Sequence, residues 1–351
     1  MAFDSCLSDL RMRRPCKRYP LLLRNEKATL YALLAKAGSA FFLLTRLNLP
    51  HSHHSHRFAM PNTNHPAAMP AIAAFRQAFD PLRATVYAEG TFFSGSQMSA
   101  DLQALEPLAQ RIGPASAEMA ELRWLQCEVW RRRGGFEEEA LQAGQQALAI
   151  DLATGGLEPA EQLMRHYRLG VIAEDSANWN IALHHLNATH ALLQASHANT
   201  WTPTQQLCLR ERIGYALHEA GHYAEALAHN QQLLQDAKQT AELDAYALRT
   251  LLNNLAQNAY ELKDTHLAAQ YLQERLRIVQ AAQDTELACD SLFQLGVLAC
   301  EQGQFEQAHQ FFEQRLALAE TANDDALRQQ AQQDLQRLIH MAANAPAAPA
   351  P

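Results

Sequence analysis

The sequence predicts an all-α protein, a solenoid of paired helices, and three observations carry that expectation. Self-comparison finds an internal repeat: Leu169-Gly170-Val171-Ile172-Ala173, followed by Trp179 and Ala182, matches Leu295-Gly296-Val297-Leu298-Ala299, followed by Phe305 and Ala308. Each matched pair lies 126 residues apart, three periods of 42. Apolar residues recur at spacings of three and four, the helical period, and no stretch alternates as a half-buried strand would. Finally, 48% hydrophobic residues with only 14 Gly and 14 Pro among 351 exclude a collagen-like or disordered chain.

Taken in order, residues 1–59 differ in composition from the rest of the chain. Through Met60 the chain carries ten Lys/Arg against three acids, a balance of +7, which leaves −15 for the remaining 291 residues of a chain whose formal charge is −8. An acidic body repels phosphate backbones, so nucleic acid is not expected as a partner. The order of a basic stretch (Arg11 to Arg24) and an apolar one (Ala28 to Leu49) imitates a secretion signal. Lys36 and Arg46 break the apolar part, leaving a run of only about nine residues where a bilayer span needs roughly 20. No membrane partner is expected either. The tract His51-Ser-His-His-Ser-His56 would hold a metal ion only weakly. Residues 1–59 therefore read as a basic, disordered leader, with Met60 or Met69 the expected true start.

Residues 60–115 read as an N-terminal helical cap or degenerate repeat, with Gly90 to Gly95 as its turn. Residues 116–325 hold five copies. The first opens with Trp124, Cys127, Phe136 and Ala140 and shows one extra residue in its turn. The third is Ile213-Gly214-Tyr215-Ala216 with Tyr223 and Ala226, and the fourth Ala256-Gln257-Asn258-Ala259 with His266 and Ala269. Gly134-Gly135, Asn178, Gly221, Asp264 and Gly303 mark the turn between the two helices of each copy. Small residues on the first helix (Gly170, Gly214, Gly296) and Ala on the second let the pair approach closely, and the aromatic at the turn fills the space beside them. Residues 326–341 form a capping helix with Leu327, Ala331, Leu335, Leu338 and Ile339 on one face, and 342–351 an Ala/Pro-rich disordered tail.

This signature, Leu-Gly, a turn with Gly and an aromatic, then Ala three residues on, resembles the tetratricopeptide repeat family. The small residues Ala182, Ala226, Ala269 and Ala308 stand 44, 43 and 39 apart, longer than the usual repeat and similar to the family's long-helix branch. The resemblance implies a right-handed α-solenoid whose first helices build a concave wall. By register that wall carries Tyr167, Val171 and Glu174, then Glu211, Tyr215 and His218, then Asn254, Asn258 and Glu261, then Asp290, Phe293 and Val297. Lys and Arg, with which the co-chaperone branch grips a C-terminal carboxylate, are absent from these positions, so chaperone tails are disfavoured. Acids between aromatics suit a basic or amphipathic peptide. The implied protein is a non-catalytic, cytoplasmic protein- or peptide-binding scaffold without a cofactor. The alternative is a ligand- or peptide-sensing regulatory module.

Other motifs carry less. His218-Glu219-Ala220-Gly221-His222 satisfies the zinc-protease string, but the repeat register puts Gly221 at a helix end and His222 in a turn, where the two imidazoles cannot share one helical face. His166, His184, His185, His190 and His197 offer no pair four apart and read as surface imidazoles. Arg131-Arg132-Arg133 complements a helix C-terminus, with a phosphate site as the sharper reading. Of six cysteines, Cys127, Cys208, Cys289 and Cys300 fall in apolar helical patterns as small hydrophobes, which fits a reducing cytoplasm.

Overall fold

A computed structural model describes residues 68–88, 92–195, 201–240 and 245–343. The leader 1–59 and the tail from 344 onward lie outside the described residues. Among those described, the secondary structure is helical: α1 (Ala68–Tyr87), α2 (Gly95–Ala104), α3 (Glu106–Ile112), then the pairs α4 (Ala117–Arg133) and α5 (Glu137–Thr154), α6 (Pro159–Asp175) and α7 (Trp179–Ala195), α8 (Pro203–Glu219) and α9 (Tyr223–Thr240), α10 (Ala245–Glu261) and α11 (Thr265–Ala281), α12 (Thr285–Glu301) and α13 (Phe305–Thr321), and finally α14 (Asp325–Ala343). They fall into two compact units divided after Asp236.

Every copy keeps the same frame up to the start of its second helix. The first helix has 17 residues and the second begins 20 residues after the first. The turn is three residues throughout, so the first copy has no extra residue; Phe136 precedes α5 as its N-cap, and Glu137 takes the place held elsewhere by Trp179, Tyr223 and Phe305. The varying period comes from the links between copies, which leave first helices 40 to 44 residues apart. The constant frame also corrects the fourth copy by one residue: Ala256, Thr265 and Ala268, not Gln257, His266 and Ala269, align with Gly214, Tyr223 and Ala226. Burial agrees, since Ala256 and Ala268 are fully buried.

The turns share one backbone device. The middle residue is left-handed in all five: Gly135, Ala177, Gly221, Lys263 and Gly303. Asn178 and Asp264 mark the turns one residue late; they are the third turn residue, whose N–H returns to a carbonyl five residues back, as in Asn178 to Ala173 (2.8 Å) and Asp264 to Ala259 (2.9 Å). The last two links repeat the device with Gln283 and Asn323 left-handed. Asp264, Asp284 and Asp324 then cap the following helix, each accepting from the backbone N–H three residues on at 3.0 to 3.1 Å.

Close approach within a pair is steric. A Cβ on Gly170 would come within 2.7 Å of Leu186, on Gly214 within 2.0 Å of Asn230, and on Gly296 within 2.4 Å of Phe312, always the residue 16 positions on. In the fourth copy Ala256 and Leu272 occupy these positions, both in one apolar cluster. The first copy departs, with buried Glu128 on the first helix and the close-approach glycine, Gly144, on the second, set against Cys127 and Leu169.

Between helices of successive copies, buried arginines meet acids: Arg165 with Asp151 and Arg212 with Glu174 in the first unit, Arg275 with Asp290 and Arg315 with Asp334 in the second. At the N-terminal end, α1 packs on α3 and α4, and α2 on α4, around Phe75, Phe79, Leu102, Leu122 and Leu125. This is a three-helix cap rather than a hairpin copy. At the other end α14 packs on α13 through Ala331, Leu338 and Met341; Ile339, expected on that face, is 60% exposed.

Candidate functional site

Residues on α6 and α8 form the part of the expected wall in the first unit. Tyr167 is buried, its ring edge-on to Trp201 at 5.0 Å between centroids. Tyr215 is half-buried and edge-on to Trp179 at 5.6 Å, and His218 lies 5.2 Å from the ring of Tyr223. Burial, then the neighbouring Glu219 carboxylate that accepts its hydrogen bond, push the Tyr215 phenol well above the ordinary tyrosine range. Two turn aromatics, Trp179 and Tyr223, thus lie edge-on against residues of the expected register. The expected acidity holds only in part. Glu174 is buried in an ion pair with Arg212, a residue one position past the wall register, while Glu211 is half-buried on α8.

In the second unit the expected residues are dispersed. Asn258 is fully buried and Glu261 exposed, because the one-residue slip carries them off the expected register; Asn254 is half-buried. The frame places Asn253, Gln257 and Tyr260 there instead. Tyr260 donates to Glu301 at 2.6 Å, and Gln294 donates to Asn253 at 3.3 Å. Asp290 is committed to Arg275 (2.7 Å) and accepts from Gln294 (3.0 Å). Phe293 is buried with the Arg315 guanidinium 5.2 Å above its ring. The constant 20-residue step between paired helices was the signal that would have found Tyr260.

The remaining motifs resolve simply. Helix α8 ends at Glu219, and His222, in the turn, lies 3.7 Å from Glu225 rather than beside His218's partners, so the zinc-protease string lacks its helix. The described residues hold no group of three His, Cys, Asp or Glu arranged for a metal. His166 and His185 are not surface imidazoles: both are buried and touch across α6 and α7, Nδ1 to Nδ1 at 3.0 Å. Burial, then the neighbouring imidazoles, press His185 down to about 3. Cys127, Cys289 and Cys300 are buried free thiols, Cys300 pushed up to about 12 by burial and by Glu301. No helix of the described residues is long and apolar enough to cross a membrane.

Helix pairs with a constant 20-residue step, a small residue at each close approach and an aromatic at most of the turns make a tetratricopeptide-like helical-repeat fold. No family model matches the chain, and no curated protein matches it. Solved structures do. The apo form of RapI is 12% identical over 97% of this chain and 85% of its own, with a TM-score of 0.52, and has the same fold. Nearly identical TPR-like repeats of a putative kinesin light chain from Podosopora anserina are 21% identical over 58% of this chain and 98% of theirs, with a TM-score of 0.46. A Rap protein complexed with Competence and Sporulation Factor is 13% identical over 97% and 85%, with a TM-score of 0.41.

Proposed function

We propose that the chain is a non-catalytic protein- or peptide-binding scaffold whose partner lies along the first helices α6 and α8. The supporting observation is the run of aromatic edges, Tyr167 with Trp201, Tyr215 with Trp179 and His218 with Tyr223, beside Glu211 on one register. Such edges bury the apolar side of a bound segment while polar rims pair with its backbone. Glu211 and Glu219 favour an amphipathic partner with a basic side, a weaker bias than the sequence implied because Glu174 is already neutralised. The buried thiols Cys127, Cys289 and Cys300 suit a reducing compartment such as the cytoplasm.

The test uses the fluorescence of Trp179 and Trp201 during titration with amphipathic Lys/Leu peptides. Saturable change in the wild type, weakened about tenfold by Tyr215→Ala and by Glu211→Lys, is the expected result. Equal binding by all three proteins would remove this face as the site.

A further inference from the structure

The short basic run at the end of α4 does more than complement a helix terminus. Glu128, 1% exposed, holds the position where other copies carry Gly or Ala. Its Oε2 accepts from Arg131 Nη2 at 2.8 Å, and its Oε1 accepts from Arg168 Nη1 of the next copy at 2.6 Å. Arg132 donates to the Val86 carbonyl, and its guanidinium lies 5.9 Å from the Phe93 ring centroid. Tyr87, at the end of α1, directly follows the Val86 that Arg132 holds; burial and then Glu128 raise its phenol, while Arg168 and Arg132 lower it. Three guanidiniums against one carboxylate leave an excess of two positive charges among these side chains. Glu128 forms a buried floor, while Arg132 is exposed and Arg168 and Arg131 are partly so. Burial opposes the charge on Arg132, Glu128 supports it, and the neighbouring Arg131 opposes it again.

We propose that Arg131, Arg132 and Arg168, with the Tyr87 hydroxyl as a further donor, bind the phosphate dianion of a phosphate monoester. A dianion matches the excess of two charges, whereas a carboxylate matches half of it. Guanidinium forks fit the tetrahedral oxygens, and five N–H donors per guanidinium let Arg168 serve Glu128 and a second oxyanion together. A polyanion is excluded by the −15 balance of residues 61–351. The site shares no residue with the aromatic edges and does not depend on peptide binding.

Melting at about pH 7.5, where a monoester is mostly dianionic, tests this with inorganic phosphate against acetate at equal ionic strength. A saturable rise in Tm with phosphate and none with acetate is expected. Arg132→Gln, which leaves both Glu128 pairs intact, raises the half-saturating phosphate concentration about tenfold or more, as does Arg168→Gln. If Arg168→Gln fails to fold, Arg132→Gln carries the result alone, with unchanged melting in chloride as its control. O-phosphoserine and glycerol 3-phosphate separate a phosphorylated side chain from a small metabolite, the tighter ligand naming the source. An equal rise with acetate, no saturable rise, an unshifted Arg132→Gln titration, or failure of both monoesters overturns the proposal.

Discussion

Gly214 and His185 show at the residue scale what a single position decides. Gly214 lies against Asn230 so closely that a methyl group would overlap its Oδ1, and Asn230 is fully buried with no hydrogen-bond partner for its amide. Gly214→Ala is expected to cost about 1–3 kcal/mol in urea unfolding, because two packed helices must separate to admit it. Gly170, Gly214 and Gly296 were legible as close-approach residues from their spacing alone. The His166–His185 contact was not, since it joins residues 19 apart on two helices, a distance that no single-helix pattern reports. Its consequence is a pH dependence. With a folded value of about 3 against an ordinary 6.5, His185 remains neutral in the folded chain while the unfolded chain gains a proton. Stability is therefore full above about pH 6.5 and falls as pH drops toward about 3, by at most about 1.4 kcal/mol per pH unit. Tm measured across that window should fall less steeply for His185→Gln.

The turns are the clearest lesson at the scale of the element. Sequence reading found all five, yet in two it marked Asn178 and Asp264, residues that favour turns, while the left-handed backbone falls on Ala177 and Lys263. In the fourth copy the third position, Asp264, caps the following helix, while its neighbour Lys263 carries the left-handed backbone. Lys263→Gly should raise stability by up to about 1 kcal/mol by relieving a lysine held at φ 66°, whereas Gly221→Ala, at φ 82°, should lower it by a similar amount. Asp264→Ala removes a cap and should cost about 1 kcal/mol. Urea denaturation of the three variants checks all the signs. The same copy explains the misplaced wall of α10: with no Gly on its first helix, the sequence alignment set Gln257 at the small-residue position, and only the fixed step to Ala268 moves it to Ala256.

For the molecule as a whole, the helical class was readable, because a recurring apolar period survives substitution of individual residues. The joints between copies were not, because Arg165, Arg275 and Arg315 sit among apolar residues and each finds its acid on the following or preceding helix. An expected acidic wall lost Glu174 and Asp290 to such pairs. In a linear array, stability is the sum of each hairpin and the contacts between neighbours. Removing one partner of a buried pair strands the other charge, so Arg315→Met should cost about 3–5 kcal/mol. Within residues 237–351 it should also loosen α14 from α13: hydrogen exchange should rise first in α14, and the urea transition should broaden. Uniform exchange across α12 to α14 would show that the pair does not join these helices.

The unequal links have a consequence for how such a chain can change. Because the first helix and turn of each hairpin keep one length and the 40- to 44-residue spacing varies mainly in the connections, insertions are absorbed outside the packed pairs. Extra residues after Gln283 would leave α10–α11 and α12–α13 intact while altering the pitch from one hairpin to the next. Length variation at these joints is thus a means of adjusting the reach of a binding surface without rewriting a single buried residue.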